Sequence, residues 1–107
     1  IINSFGYRIS PHEIERILKT HPDIADAVAI EEAVGKDKNI VTACVILHVD
    51  TEKEAEIERN AENTIIEFCA EHLARYKVPR KIRFMSDFPR TRNGKILRKT
   101  LRNQLYG

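Results

Sequence analysis

The sequence predicts an α+β fold: a small three-stranded sheet flanked by helices, with an N-terminal two-stranded hairpin. The chain has 107 residues, the size of one domain, and 42% of them are hydrophobic, which is enough for one modest core. Segments with alternating apolar residues are interspersed with segments whose apolar residues recur every three or four positions. No internal repeat, low-complexity segment or linker interrupts this order. We therefore expect a single domain over residues 1–107.

The first nine residues predict a short hairpin, in which Gly6 permits a positive φ or the close approach of a ligand. A helix is predicted next. Ser10 is its expected N-cap, Pro11 its first residue, and Glu13 the capping-box partner of Ser10. The helix should end before Pro22, because proline disfavours the α region for the residue ahead of it.

Two strands are predicted at residues 25–31 and 40–49. The second strand is nearly all apolar, as expected of a strand that is covered on both faces. The connection at residues 33–39 is predicted to be a hairpin loop. Its tip should be exposed and basic, because it carries Lys36 and Lys38.

The longest helical pattern follows the acidic segment 51–62 and repeats at threes and fours, so we expect a helix that packs on the sheet. A third strand is predicted at residues 80–85. Near the end of the chain, a basic amphipathic helix is predicted from the spacing of Leu97, Leu101 and Leu105.

Between the last strand and the last helix, residues 88–96 hold a proline and an Asn-Gly pair, which predict a loop with a tight turn. Lys95 follows Gly94, so its ammonium has little neighbouring bulk and can reach into a site made elsewhere. A Walker A loop is excluded, because Pro89 and Ile96 stand where that pattern needs Gly and Ser or Thr. A loop lysine suits phosphate or carboxylate. The alternative is a hairpin turn with a solvated lysine.

The net charge of +2 hides a strong asymmetry along the chain. Residues 76–107 contain ten Lys or Arg and one acid, whereas residues 1–75 contain eight basic and fifteen acidic residues. A basic C-terminal third indicates an anionic partner, such as a nucleotide, a coenzyme phosphate or nucleic acid. A solvated helix face is the alternative for Arg98, Lys99 and Arg102.

Several other features limit the function. The two cysteines lie in apolar patterns without CxxC spacing, which predicts buried free thiols and a reducing compartment, the cytoplasm. The four histidines have no ligand spacing, so we expect no metal site. No apolar run reaches membrane-spanning length. The chain starts at Ile1 and its only methionine is Met85, so we expect a piece of a longer polypeptide.

Three stretches together resemble a known family. They are Gly-Tyr-Arg-Ile-Ser-Pro-His-Glu-Ile-Glu at 6–15, Tyr-Lys-Val-Pro-Arg at 76–80, and Pro-Arg-Thr-Arg-Asn-Gly-Lys-Ile at 89–96 with Arg98. In this order and spacing they resemble the small C-terminal domain of adenylate-forming enzymes, which include acyl-CoA synthetases, luciferases and the adenylation domains of peptide synthetases. The first stretch is most similar to acyl-CoA ligases of the medium-chain and aryl-acid kind, which implies a role in fatty acid metabolism.

The resemblance implies an ATP-dependent, AMP-forming ligase that works in two steps. A carboxylic acid attacks the α-phosphate of ATP to give acyl-AMP and pyrophosphate, and the thiol of CoA then attacks the acyl-AMP. The C-terminal domain rotates between the steps relative to a large N-terminal AMP-binding domain. That domain holds most of the ATP site, Mg²⁺ and the acyl pocket, so the isolated small domain is expected to be inactive.

The resemblance also implies roles for residues. Lys95 matches the lysine that enters the adenylation site and contacts the substrate carboxylate and the AMP moiety, and Gly94 would leave room for its approach. Gly6, with Phe5 and Tyr7, matches the loop that lines the pantetheine channel.

Four further basic residues are implied to bind phosphates. Arg8 matches a position near the nucleotide or coenzyme phosphates, and Arg80 matches a contact to CoA. Lys36 and Lys38 could meet the 3′-phosphate of CoA. From the residues alone, simpler alternatives stay open: an ion pair of Arg8 with Glu13 or Glu15, a plain hairpin glycine at position 6, and a solvated charge at position 80.

Two other functions stay open beside acyl-CoA synthesis. An adenylation enzyme could hand the acyl group to a carrier protein instead of CoA. A basic nucleic-acid-binding module is disfavoured, because aromatic residues are sparse among the basic ones. Residues 89–95 also resemble the stretch that protein acetyltransferases modify in bacterial acyl-CoA synthetases, so an acetyltransferase acting on Lys95 is a further expected partner.

Overall fold

The computed structural model describes residues 1–36, 38–48 and 51–106, and the backbone alone for 51–60. Its elements confirm the predicted α+β fold with an N-terminal hairpin. In chain order they are β1 (Ile2–Ser4), β2 (Tyr7–Ile9), α1 (Pro11–Leu18), β3 (Ile24–Gly35), β4 (Lys38–Leu47), α2 (Thr51–His72), a 3-10 turn (Arg75–Lys77), β5 (Lys81–Phe84) and α3 (Arg98–Tyr106).

The central sheet has the strand order β3-β4-β5. β3 and β4 are antiparallel, whereas β5 runs parallel to β4, because α2 carries the chain back across the sheet. The loop predicted at 33–39 is wrong in its length, because the strand pairing continues to Gly35 and Lys38. The predicted strand end at Val49 lies outside the described residues.

β4 is covered on both faces, as its apolar sequence predicts. Neighbouring residues of a strand point to opposite faces, so β4 contributes to two clusters. On the first face, β4 packs against α1, α2 and the N-terminal hairpin through Val41, Ala43 and Val45. On the opposite, second face, Cys44 packs with Phe88 and Leu101 of the C-terminal segment.

The start of α1 is only partly as predicted. Ser10 is the N-cap residue and Pro11 begins the helix, but the Ser10 side chain donates and accepts no capping hydrogen bond. The capping box is therefore wrong. Lys77 donates to both carboxylate oxygens of Glu13, at 2.9 and 3.1 Å, and an ammonium is a stronger partner for a carboxylate than the backbone amide of Ser10.

α2 is the longest helix and covers the first face of the sheet. Its buried residues and the residue after it recur every four positions: Ala61, Ile65, Cys69 and Leu73. Both cysteines are free and buried, as predicted, and burial raises the pKa of Cys44 to about 12 and that of Cys69 to about 11. Neither thiol is therefore nucleophilic at neutral pH.

α3 covers the second face and begins one residue later than its leucine spacing suggests. Leu97 precedes the helix, and its carbonyl accepts the amide of Leu101 at 3.0 Å. Leu101 is fully buried, whereas Leu97 is 38% exposed. Among the helices described, none is both long and apolar enough to cross a membrane.

Candidate functional site: two glycine turns

The turn between β1 and β2 is built by Phe5 and Gly6, and we call it the aromatic turn (Ser4–Tyr7). Both central residues have positive φ, 48° for Phe5 and 85° for Gly6, as a type I′ hairpin turn requires. A Cβ added to Gly6 would meet no heavy atom within 4 Å. Gly6 is thus required by backbone conformation, and the space beside it is open to a ligand.

An aromatic and cationic cluster surrounds this turn. The Arg80 guanidinium lies 4.4 Å from the centroid of the Phe5 ring. Tyr7 stacks on Tyr76, with ring centroids 4.4 Å apart and planes 20° apart. The fold therefore brings together the first two of the three sequence stretches, although about 70 residues separate them. Phe5 and Tyr7 remain 51% and 52% exposed.

A groove of about 720 Å³ continues from this cluster between α2 and the segment before β5. The sequence predicted only one wall of it, the stretch that ends at Arg80. α2 and Leu73, the residue after it, supply the other wall, and the i, i+4, i+7 spacing of their apolar positions was the available signal. The lining residues are Ile66, Ala70, Leu73, Arg75, Val78, Pro79 and Arg80.

The second turn, the lysine turn (residues 91–95), is the tight turn that the Asn-Gly pair predicts. Thr91 donates its amide to the Lys95 carbonyl at 2.8 Å, and Gly94 donates to the Thr91 carbonyl at 3.0 Å. Gly94 has φ of 84°, so this three-residue loop closes through a left-handed glycine. Below the turn, Arg90 and Ile96 form an antiparallel bridge.

Lys95 stands at the end of the lysine turn and is exposed. Its backbone amide donates to the Thr91 hydroxyl at 3.1 Å, which fixes the backbone and leaves the side chain outside. No acceptor or acid among the described residues binds its ammonium. A Cβ added to Gly94 would meet nothing within 4 Å, so the approach to Lys95 is open.

Most basic side chains of the C-terminal third form ion pairs with acidic side chains of the same domain. Six of its ten basic side chains form ion pairs with acids of the first 32 residues. The solvated helix face suggested for Arg98 is therefore wrong, whereas Lys99 and Arg102 are exposed, as that alternative expects. The pairs are Lys77–Glu13, Lys81–Glu32, Arg83–Glu32, Arg90–Asp26, Arg98–Glu15 and Arg102–Glu31.

These pairs leave few unpaired cations in the basic third. Arg80 lies over the phenyl ring of Phe5. Among the described residues, the other basic side chains of this third without an ion pair are Arg92, Lys95 and Lys99. They do not form the row of stacking aromatics and cations that a nucleic acid needs.

The two turns lie at opposite ends of the sheet. At one end, Arg80 donates its amide to the Val41 carbonyl at 2.9 Å, beside the aromatic turn. At the other end, Arg90 below the lysine turn binds Asp26, which pairs with Ile46 in the ladder. Val41 and Ile46 are five residues apart, or about 16 Å along a strand. One fixed pose cannot present both turns to the same point.

Three other predicted residues lie near the aromatic turn or at the same end of the sheet. Lys36 and Lys38 are exposed at the β3–β4 turn, where β4 begins. Arg8 is exposed on β2, and the suggested ion pair with Glu13 or Glu15 is wrong, because those carboxylates bind Lys77 and Arg98. No group of three or more His, Cys, Asp or Glu that could hold a metal ion occurs in the part of the chain that the structure describes.

Comparison with known proteins decides the family. Residues 13–95 match the model of the AMP-binding enzyme C-terminal domain. The chain belongs to this family. It is 37% identical, over its full length, to the mitochondrial acyl-coenzyme A synthetase ACSM1 of Mus musculus, of which it spans 18%.

Solved structures agree with this AMP-binding C-terminal domain. A fatty acyl CoA synthetase of Mycobacterium tuberculosis superposes with a TM-score of 0.79 and 34% identity, over 94% of this chain and 18% of that one. The o-succinylbenzoate CoA synthetase of Bacillus subtilis, solved with its acyl-adenylate intermediate, gives 0.75 and 31%, over 99% and 19%. The domain thus spans about a fifth of the length of these relatives.

Proposed function

We propose that this domain is the mobile C-terminal part of an ATP-dependent, AMP-forming acid–CoA ligase. It would work with a large N-terminal AMP-binding domain of the same protein, which would hold the carboxylic acid, ATP and Mg²⁺. The Bacillus subtilis synthetase has also been solved with ATP and a magnesium ion, which supports that assignment of cofactors. The buried free thiols favour a reducing compartment, and we propose the cytoplasm.

One observation carries the proposal: two exposed glycine turns of different chemistry lie at opposite ends of one small sheet. A two-step ligase needs a cation in its first step and a channel wall in its second. Rotation of the domain between the steps would bring each end to the active site in turn.

In the adenylation step, the substrate carboxylate attacks the α-phosphate of ATP and pyrophosphate leaves. Negative charge converges on the α-phosphate oxygens in the transition state. Lys95 would place its unpaired ammonium there, where a fixed cation is most effective because water is excluded. Gly94 would allow the turn to approach the nucleotide closely.

In the thioester step, the CoA thiol attacks the acyl carbonyl of acyl-AMP, and AMP leaves. Gly6, with Phe5 and Tyr7, would form the wall of the pantetheine channel. The groove with Arg75 and Arg80 at its edge would bind the nucleotide end of CoA, where the phosphates are. Arg8, Lys36 and Lys38 would add positive charge around the phosphates of CoA and the nucleotide.

The full-length protein with Lys95→Ala tests this function. We expect acid-dependent ATP–pyrophosphate exchange to fall about 100- to 1,000-fold, whereas thioester formation from preformed acyl-AMP and CoA stays largely unchanged. Acetylation of Lys95 by a protein acetyltransferase removes the same charge and should give the same selective loss.

Other outcomes of this experiment would contradict the proposal. Unchanged exchange would mean that the lysine turn is an ordinary surface turn. Loss of both half-reactions would mean that Lys95 serves the fold or both steps. Supplying a phosphopantetheinylated carrier protein in place of CoA separates the two acceptors, and faster transfer to the carrier would make the protein a carrier-loading enzyme.

A further inference from the structure

The lysine turn is held by an ion pair on each side. Arg90 precedes the turn and Arg98 follows it, and both bind acids of the N-terminal half of the domain. Within the turn, the hydrogen bonds join only Thr91, Gly94 and Lys95 to one another. The direction in which the turn leaves the domain therefore depends on what fixes its two stems.

The pair after the turn is buried and joins three elements. Arg98, the first residue of α3, donates to both carboxylate oxygens of Glu15 on α1, at 2.6 and 2.7 Å. Glu15 is only 6% exposed and also accepts the amide of Ala29, at 2.8 Å, from the outer edge of β3. Bidentate geometry fixes the orientation of the guanidinium as well as its position. Arg98 is three residues from Lys95.

The pair before the turn ends on the same strand. Arg90 donates to Asp26 at 2.6 Å, and Lys19 lies 3.6 Å from the other oxygen of Asp26. Burial alone would raise the pKa of Asp26, but the hydrogen bonds from Arg90 and Ala27 and the charges of Lys19 and Arg90 outweigh it and lower the pKa. Asp26 therefore stays ionised, and the pair persists at neutral pH.

Both stems are thus tied to β3, at positions 26 and 29, which lie about 10 Å apart along the strand. A turn attached at two separated points of one rigid strand cannot pivot about either of them. We propose that Asp26–Arg90 and Glu15–Arg98 are positioning pairs that aim the Lys95 ammonium for adenylation, an inference that rests on the proposed function of Lys95.

A matched pair elsewhere in the domain provides the control. Arg83 donates to Glu32 at 3.0 Å, and the side chains are 30% and 6% exposed, against 33% and 7% for Arg98 and Glu15. Arg83 lies on β5, and its guanidinium contacts Glu32 and lies 5.0 Å from the ring centroid of Tyr106, at the end of α3 that is remote from the lysine turn. Its loss removes one ion pair from a comparably buried carboxylate, which keeps Lys81 at 3.6 Å, so it controls for the loss of an interior ion pair outside the turn.

The experiment is a double-mutant cycle in the full-length protein. Arg90→Gln and Arg98→Gln are each combined with Lys95→Ala, and kcat and KM are measured for ATP–pyrophosphate exchange. We expect each single arginine variant to lower kcat about 100-fold with little change in KM, the scale expected when a reacting group is misplaced by about 1 Å. In the Lys95→Ala background the same variants should cause almost no further loss, because there is no ammonium left to misplace.

Arg98→Lys should recover part of the rate, because one charge remains but the bidentate geometry is lost. Thioester formation from preformed acyl-AMP should stay unchanged, and Arg83→Gln should leave exchange unchanged. If Arg98→Gln does not fold, Glu15→Gln replaces it, since its amide oxygen can still accept from Ala29.

Each other result has a distinct meaning. Arginine variants that retain exchange while Lys95→Ala loses it would overturn the positioning inference alone. Equal losses with and without Lys95 would also overturn it, since the pairs would then act independently of the lysine. Full exchange in Lys95→Ala would overturn the proposed function itself.

Discussion

The aromatic turn and the lysine turn use the same backbone device in different surroundings. Each closes through a glycine with φ near 85°, and a Cβ on either glycine would meet nothing within 4 Å. The aromatic turn is flanked by exposed aromatic rings and by Arg80, whose guanidinium stacks on Phe5. The lysine turn carries an unpaired ammonium, and ion pairs hold its stems.

This comparison shows that two turns with the same backbone conformation differ in chemistry because of the side chains around them. Stacked rings give a smooth wall that can line a channel without desolvating a charge. A single ammonium on a hydrogen-bonded turn can enter a site where charge develops. Two such turns at opposite ends of one sheet give one domain two exposed surfaces of different chemistry.

The largest expected effect comes from substituting the glycine of each turn in turn and comparing the two half-reactions. Gly6→Leu and Gly94→Leu introduce similar backbone strain, about 1–2 kcal/mol in the left-handed region, and neither side chain meets a neighbour inside the domain. Gly6→Leu should lower thioester formation about 100-fold and spare exchange. Gly94→Leu should do the reverse.

The half-reactions would be assayed separately, after thermal unfolding has shown equal stability of the two variants. If both variants impair the same half-reaction, the two turns do not serve separate steps.

A smaller effect is expected from the cation at the aromatic turn. Arg80→Met keeps most of the contact with Phe5 but removes the charge, so the KM for CoA should rise about tenfold through loss of one charged hydrogen bond. Exchange should be unchanged. Arg16→Met, which removes an exposed arginine on α1, is the matched control and should leave both constants alone. An equal rise in both variants would indicate a general effect of net charge.

The smallest effect concerns the stack that supports the aromatic turn. In a cycle of Tyr7→Ala and Tyr76→Ala, we expect a coupling of about 1 kcal/mol in the free energy of unfolding, measured with urea. Tyr76→Phe keeps the ring and should retain the coupling. Strictly additive losses would show that the two rings are neighbours without mutual stabilisation.

The local features of the fold could be predicted from the sequence, and the long-range ones could not. Pro11 and the Asn-Gly pair specify their conformations within a few residues, so the helix start and the lysine turn were correct. The capping box failed because Glu13 binds Lys77, which lies 64 residues away. The Glu15–Arg98 pair spans 83 residues, and no spacing rule connects two such positions.

The candidate site divides in the same way. Lys95 and Gly6 were singled out through motifs, and the structure shows that Lys95 is exposed and that the space beside Gly6 is open, as their proposed roles require. The positioning pairs of the lysine turn and the α2 wall of the groove depend on contacts between elements that are distant in sequence. Only the three-dimensional fold reveals them.

The segregation of charge along the chain has a consequence for synthesis. The first 75 residues carry a net charge of −7, and as they leave the ribosome they lack the C-terminal third that neutralises them in the native domain. Self-repulsion should keep this nascent segment expanded and discourage its association with other chains. The last third carries a net charge of +9, which neutralises the acidic segment when it is translated. It also adds the third strand and the residues that cover the second face of the sheet. We therefore expect collapse into the native domain to wait until the end of the domain has been translated.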